Sequence, residues 1–343
     1  MSRSGPGLRV EAAHRQHRPS RRQRWFGDHL HHGHDHGGHV HDHGRHFGGT
    51  GTADGSTAGL RVIGISVGIL AVTALAQAAL IGRSGSVALL ADTVHNLSDC
   101  LSAVPLGLAF LLGRRPPNRR YTYGYGRAED LAGACVVVML ALSAGFTAWQ
   151  AVDRLLAPRD FDGHVGVVAV AGMVGFVGNE WVARYRIRTG RRIGSAALTA
   201  DGLHARTDGL TSLAVVATAF GTLVGWRLAD PLIGLAISLV IANLLRTTAR
   251  DIYRRLMDGV DPDLVDRIDA RLTATPGVRD VRRTRVRWVG HQLHVDANLV
   301  LDAELTLAHA HEVLERARHT LLQQIPRLGD AVLHVSPVRS ADA

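Results

Sequence analysis

The chain has 343 residues, a formal charge of +9, and arginine as its only basic residue apart from histidine. Its mean hydropathy of +0.06 would suit a soluble protein, but the average hides a division. The first ~58 and last ~85 residues are polar, whereas the stretch between them holds apolar runs long enough to cross a bilayer. A basic chain can signal nucleic acid, but here the arginines sit in short clusters between apolar runs, which excludes that reading. Cys100 and Cys135 lie inside apolar runs, so no disulfide framework is implied.

The chain opens with a polar tail, 1–58, that has no early apolar core and so no cleavable signal peptide. Within it, residues 29–46 read HLHHGHDHGGHVHDHGRH and hold nine of the chain's 20 histidines. Gly and Asp alternate with those histidines, so no packed fold is expected, and loose gathering of metal ions is. The arginines from Arg15 to Arg24 read as an orientation signal beside anionic lipid headgroups.

Six spans follow, at about 60–82, 86–113, 127–157, 165–189, 193–225 and 229–250. The fourth and fifth are Gly-rich with polar residues, so they are expected among other helices rather than against lipid. Arginines cluster after the second span (Arg114, Arg115, Arg119, Arg120), the fourth (Arg184, Arg186, Arg188, Arg191, Arg192) and the sixth (Arg246, Arg250, Arg254, Arg255). The opposite loops hold only Arg83, Arg159 and Arg227. This alternation is the positive-inside pattern and predicts both termini in the cytoplasm.

Beyond the six-span membrane region, 59–257, the pattern changes. Asp261-Pro262 opens a helix, since proline suits a first turn. Alternating runs at about 278–288 and 291–301 predict strands, the second with Leu293, Val295, Ala297, Leu299 and Leu301 on one face. A helix near 305–324 and a short strand, 331–335, complete an α-β-β-α-β domain over 258–338, before a short tail at 339–343.

The most informative feature is a repeat. Residues 86–99, SVALLADTVHNLSD, and 195–208, SAALTADGLHARTD, agree at seven of 14 positions, including Asp92/Asp201, His95/His204 and Asp99/Asp208. One copy lies in the second span and one in the fifth, which run in opposite directions, as in an inverted repeat with its site at the midplane. His and Asp four residues apart share one helix face. Together, His95, Asp99, His204 and Asp208 offer two imidazoles and two carboxylates, a set that suits tetrahedral Zn2+ and neutralises its charge. Lone carboxylates at membrane depth cost roughly 2.5–3.5 kcal/mol each on insertion scales, and a shared metal offsets that cost. Asp92 and Asp201 read as outer partners of the imidazole N–H groups or as pairs near the span ends. No G-x-x-x-x-G-K-[ST] loop is present, so ATP-driven pumping is not expected, nor is enzymatic activity or an organic cofactor.

On LLADTVHNLSD in the second span, YGYGRAE at 123–129, ADGLHARTDGLTS in the fifth span and ADPLIG at 229–234, the chain resembles the cation diffusion facilitator family of proton-exchanging zinc transporters, from about residue 60 to 338. The resemblance implies a six-helix membrane domain, a cytoplasmic ferredoxin-like α+β domain, and a homodimer through that domain. It also implies a multi-pass location, with a bacterial cell membrane as the expected setting, and transport of Zn2+ through His95, Asp99, His204 and Asp208. Co2+, Ni2+ or Cd2+ as main cargo, or a non-transporting sensor on the same scaffold, are the alternatives.

Some members carry a second metal before the third span; the positions here are Asn118, Tyr121 and Tyr125, which lack that chemistry. For a cytoplasmic metal pair, His311 and His334 match two ligands, while Asp280, Asn298 and Ser336 stand where other ligands would be. His291, His294 and His309 are candidate substitutes for the missing ligands, with solvated surface histidines as the leading reading. Arg127 and Asp258 are placed for a charge interlock between the third and sixth spans, with Glu129 in the same network. The expected mechanism is alternating access, with Zn2+ displacing protons from His95 and His204.

Overall fold

The computed structural model describes residues 51–84, 103–156, 165–226 and 228–338. Helix α1, Gly51–Ser84, is 34 residues long, about 51 Å at 1.5 Å per residue, and so exceeds the hydrocarbon core. It starts before the expected tail boundary at 58, because its first turns pack against protein: Ser56 is buried and Gly55 and Gly59 abut His291 and Phe110. The described end of the second expected span is α2, Ala103–Gly113. Arg114, Arg115 and two prolines follow, and proline cannot continue a helix.

Helices α3 (Arg127–Leu156), α4 (Val165–Ile193), α5 (Ala196–Leu223) and α6 (Ala229–Leu256) complete the bundle. Segments of α1, α3, α4 and α6 are long and apolar enough to cross a membrane. Helix α5 has a similar length, 28 residues, but Asp201, His204, Arg206 and Asp208 interrupt its apolar character. It tolerates them because it packs against α3, α4 and α6, which bury its first half. Helix α3 pairs with α6 around Leu140, Ala144 and Ile241. Gly194, at φ +82°, makes the tight turn between α4 and α5, and Ser195 caps α5 by accepting from Leu198 N at 3.0 Å.

Helix α4 runs four residues past its expected end at 189, so the arginines from Arg184 to Arg192 all lie on the helix rather than in a loop, and Arg186 is buried.

The small domain runs α7 (Pro262–Thr273), β1 (Asp280–Val289), β2 (Gln292–Leu301), α8 (Leu307–Gln324) and β3 (Leu328–Pro337). Asp261 caps α7 by accepting from Asp263 N, with Pro262 in the first turn. The sheet order is β1-β2-β3, with β1 antiparallel and β3 parallel to β2. Alternation along β2 puts Leu293, Val295, Ala297, Leu299 and Leu301 in the core, against Ile268, Leu272, Val313, Ala317 and Leu321 of the two helices. This is the α+β domain expected from the sequence.

Candidate functional site

His204, Asp208 and Asp201 sit in the first half of α5, all at or below 5% exposure. His204 Nδ1 lies 3.7 Å from Asp208 Oδ2, too far for a hydrogen bond. A tetrahedral ion bound at about 2.0–2.2 Å would hold two donors about 3.4 Å apart, so this separation is close to that of a chelating pair. Both residues also have their backbone carbonyls engaged locally: Thr207 Oγ1 donates to the His204 carbonyl at 2.7 Å, and Thr211 Oγ1 to the Asp208 carbonyl at 2.8 Å. His204 Nδ1 has no hydrogen-bond partner among the described residues.

Asp201 takes the second of its two expected placements, a pair near the start of its span. Its carboxylate meets Arg186 of α4, with Nη1 to Oδ2 at 2.8 Å and both side chains almost wholly buried. Its strongest partner is a guanidinium rather than an imidazole N–H. His95, Asp99 and Asp92 lie outside the described residues, so the structure brings together only the fifth-span half of the expected site. Among the described residues no group of three or more His, Cys, Asp or Glu side chains gathers as a metal site.

Helix α5 is held by close backbone approach to α4. A Cβ on Gly202 would lie 2.9 Å from Ile187 N, one on Gly190 2.8 Å from Thr199 N, and one on Gly172 2.9 Å from Ser212 O. Only glycine permits these contacts. A second interhelix ion pair lies further along, where Arg206 of α5 meets both oxygens of Glu180 of α4 at 3.1 Å.

At the opposite end of the bundle, Arg154 Nη1 donates to both oxygens of Asp230 at 2.9 and 2.8 Å, and Thr218 donates to the same carboxylate. The aspartate of ADPLIG thus ties α3, α5 and α6 together.

The turns after α2 and α4 and the end of α6 all lie against the small domain. Arg127 of α3 pairs with Asp258 beyond α6, both partly exposed, so their pairing contributes little stability by itself. A second junction, buried, was missed in the sequence. The β1–β2 turn, with Gly290 at φ +59°, inserts beneath the helices: Gly290 N donates to Asp130 Oδ2 at 3.3 Å, and Arg255 Nη1 donates to Gly290 O at 2.8 Å. Arg255 also donates to Gly194 O at 2.8 Å, and Arg327 donates to the carbonyls of Arg191 and Arg192.

His291, expected as a solvated surface residue, is 9% exposed, with Nδ1 2.8 Å from Glu129 Oε2 and its ring tilted against Phe110. The correction has a simple cause: two carboxylates, Glu129 and Asp130, open a membrane helix and need partners, and the turn supplies them. That acidic pair was the signal that could have found the contact. Beside it lies a cavity of about 560 Å3 lined in part by Tyr123, Glu129, His291 and His294. His294 is also partly buried; burial pushes its imidazole below the ordinary histidine range, and Arg287 and Arg127 act in the same direction against Asp330.

The remaining expected positions are partnered or exposed. Asn118 Oδ1 accepts from Arg120 N and Tyr121 N, while its amide donates to Tyr125 at 2.7 Å. Ser336 Oγ donates to Asn298 at 3.0 Å, Asp280 pairs with Arg282, and His334 lies 3.6 Å from Asp296. His311 is exposed on α8, and His309, also exposed, contacts its capping residue Thr306 at 2.8 Å.

Residues 63–257 match the family model of the cation efflux transmembrane domain, and residues 260–338 match that of the cation efflux protein cytoplasmic domain. The chain belongs to the cation efflux, or cation diffusion facilitator, family. Cation efflux proteins are membrane transporters, and this one is a multi-pass integral membrane protein. A probable cation efflux system protein of Mycobacterium tuberculosis is 54% identical over 286 residues, covering 83% of this chain and 86% of its own. Magnetosome protein MamB of Magnetospirillum gryphiswaldense is 27% identical, covering 75% and 87% of the two chains. The manganese efflux system protein MneP of Bacillus subtilis is 24% identical, covering 74% and 87%.

Proposed function

We propose that this cation efflux protein exports Zn2+ from the cytoplasm in exchange for protons, holding the ion between His95 and Asp99 of the second span and His204 and Asp208 of the fifth. The observation that carries the reading is the buried His204–Asp208 pair, with donors 3.7 Å apart on a helix whose sequence is repeated around His95 and Asp99. Imidazole competes for protons and metal near neutral pH, so zinc binding from the cytoplasm releases protons, and outward exposure returns them. Two imidazoles favour Zn2+ over Mn2+, for which oxygen ligands are better suited. That preference separates the proposal from the cargo printed in the name of the Bacillus relative, and Co2+, Ni2+ and Cd2+ are the closer competitors.

The orientation puts both termini and the small domain in the cytoplasm, on the side of the arginine-bearing turns. The protein works as a homodimer through that domain. The histidine tract at 29–46 gathers metal near the entrance, and Asp92 contributes from outside the ligand set.

The test is zinc uptake into everted vesicles with and without an imposed pH gradient. Uptake should follow the gradient and vanish in Asp208→Ala. Full transport by Asp208→Ala would refute the proposed site, and uptake indifferent to the gradient would refute exchange.

A further inference from the structure

Arg186 has no role in the expected zinc site, yet among the described residues it is the largest side chain buried almost completely. It meets Asp201, one turn before His204 on α5. Five residues further along α5, Arg206 meets Glu180 of α4. The two bridges have opposite polarity: α4 supplies the cation to one and the anion to the other. The helices are antiparallel, so the contacts step up α4 as they step down α5.

This polarity has a consequence for sliding. Moving α5 by roughly one and a half turns in one direction brings Asp201 opposite Glu180; moving it about as far the other way brings Arg206 opposite Arg186. Either slip sets like charges together inside the bundle, where they are poorly screened. The glycine contacts described above resist the same slips by shape, and the bridges add a penalty of charge to them. We infer that the Arg186–Asp201 and Glu180–Arg206 bridges form a charge zipper that fixes the axial register of α5 on α4, so that Arg186 and Asp201 are positioning residues for His204 and Asp208 rather than zinc ligands. This rests on the zinc site proposed above. A helical turn is about 5.4 Å, whereas metal–ligand distances tolerate about 0.2 Å, so a slip would remove both donors from the ion.

The test compares Arg186→Asp, Asp201→Arg and the double swap in the full-length protein. Its readouts are zinc affinity and a register ruler that needs no metal: disulfide formation in a Gly175→Cys, Ser212→Cys background, where a Cβ added at Gly175 would lie 3.3 Å from Ser212 Cβ. Each single reversal should weaken zinc binding by at least about tenfold and suppress the disulfide, and the swap should recover both. A neutral pair, Arg186→Met with Asp201→Asn, should retain saturable zinc binding within about tenfold, because no ligand has been removed and no like charges face each other.

The zipper is overturned if the swap is no better than the single reversals, whether by misfolding or by failing to bind, or if a single reversal behaves as wild type. Loss of zinc binding in the neutral pair with the disulfide intact would make Asp201 a ligand and overturn the positioning role. Asp208→Ala serves as the separate arm: undiminished zinc affinity there refutes the site, while the disulfide still judges the zipper.

Discussion

Replacing Gly202 by alanine adds one methyl group where α5 touches α4. The new Cβ would sit 2.9 Å from Ile187 N, 2.8 Å from Ile187 Cγ1 and 3.0 Å from Arg186 Cβ. Ordinary carbon contacts begin near 3.5 Å, so the helices must part by roughly half an ångström or more. Overpacking of this kind costs about 1–3 kcal/mol. Gly202 lies two residues before His204, so the displacement reaches a site that tolerates shifts of only about 0.2 Å. If the same strain is carried into metal binding, zinc affinity falls by about 5- to 150-fold. Gly145 of α3 is the control: a Cβ there meets nothing within 4 Å, and alanine should be neutral or slightly stabilising. The assay is thermal unfolding in detergent with and without zinc, paired with initial zinc flux in proteoliposomes. Wild-type stability and flux in Gly202→Ala, or equal losses in Gly145→Ala, would refute the close-packing argument.

His95→Asp should raise cadmium flux relative to zinc several-fold in proteoliposomes, since a carboxylate in place of an imidazole weakens the preference for zinc; an unchanged metal profile refutes the assignment of His95. His294 has its protonation disfavoured in the folded state, so below about pH 6.5 the unfolded chain binds more protons than the folded one. Its contribution is therefore stability lost as pH falls from about 6.5, by at most about 1.4 kcal/mol per pH unit. Denaturation of the full chain between pH 7 and 5 should show this slope, and His294→Gln should flatten it. An identical slope in the variant would remove His294 as the cause.

Local regularity decided what the sequence could reveal. The buried face of β2 was readable because alternation over Leu293 to Leu301 leaves one arrangement against a core. Asp261-Pro262 was readable because a cap and a first-turn proline are local chemistry. The approach of His204 to Asp208 was readable because residues four apart share one helix face.

Arg186 was misread because hydropathy treats an arginine after an apolar run as the end of a span. Its partner lies on the next helix, and only the mirrored order of Glu180 and Arg186 against Asp201 and Arg206 encodes the pairing. His291 was misread because a single histidine in a turn carries no period. Its burial depends on a domain contact with Glu129, far away in the chain. Pairings of this kind follow from tertiary placement and not from propensity.

The central claim is one zinc ion shared by two imidazoles and two carboxylates drawn from two helices. X-ray absorption on the chain lacking residues 1–50, loaded with one equivalent of zinc, measures that set directly. The account predicts two nitrogen and two oxygen neighbours at about 2.0–2.2 Å, with one imidazole lost in either His95→Ala or His204→Ala. A shell unchanged by both substitutions, or one built of three or more imidazoles, would contradict it.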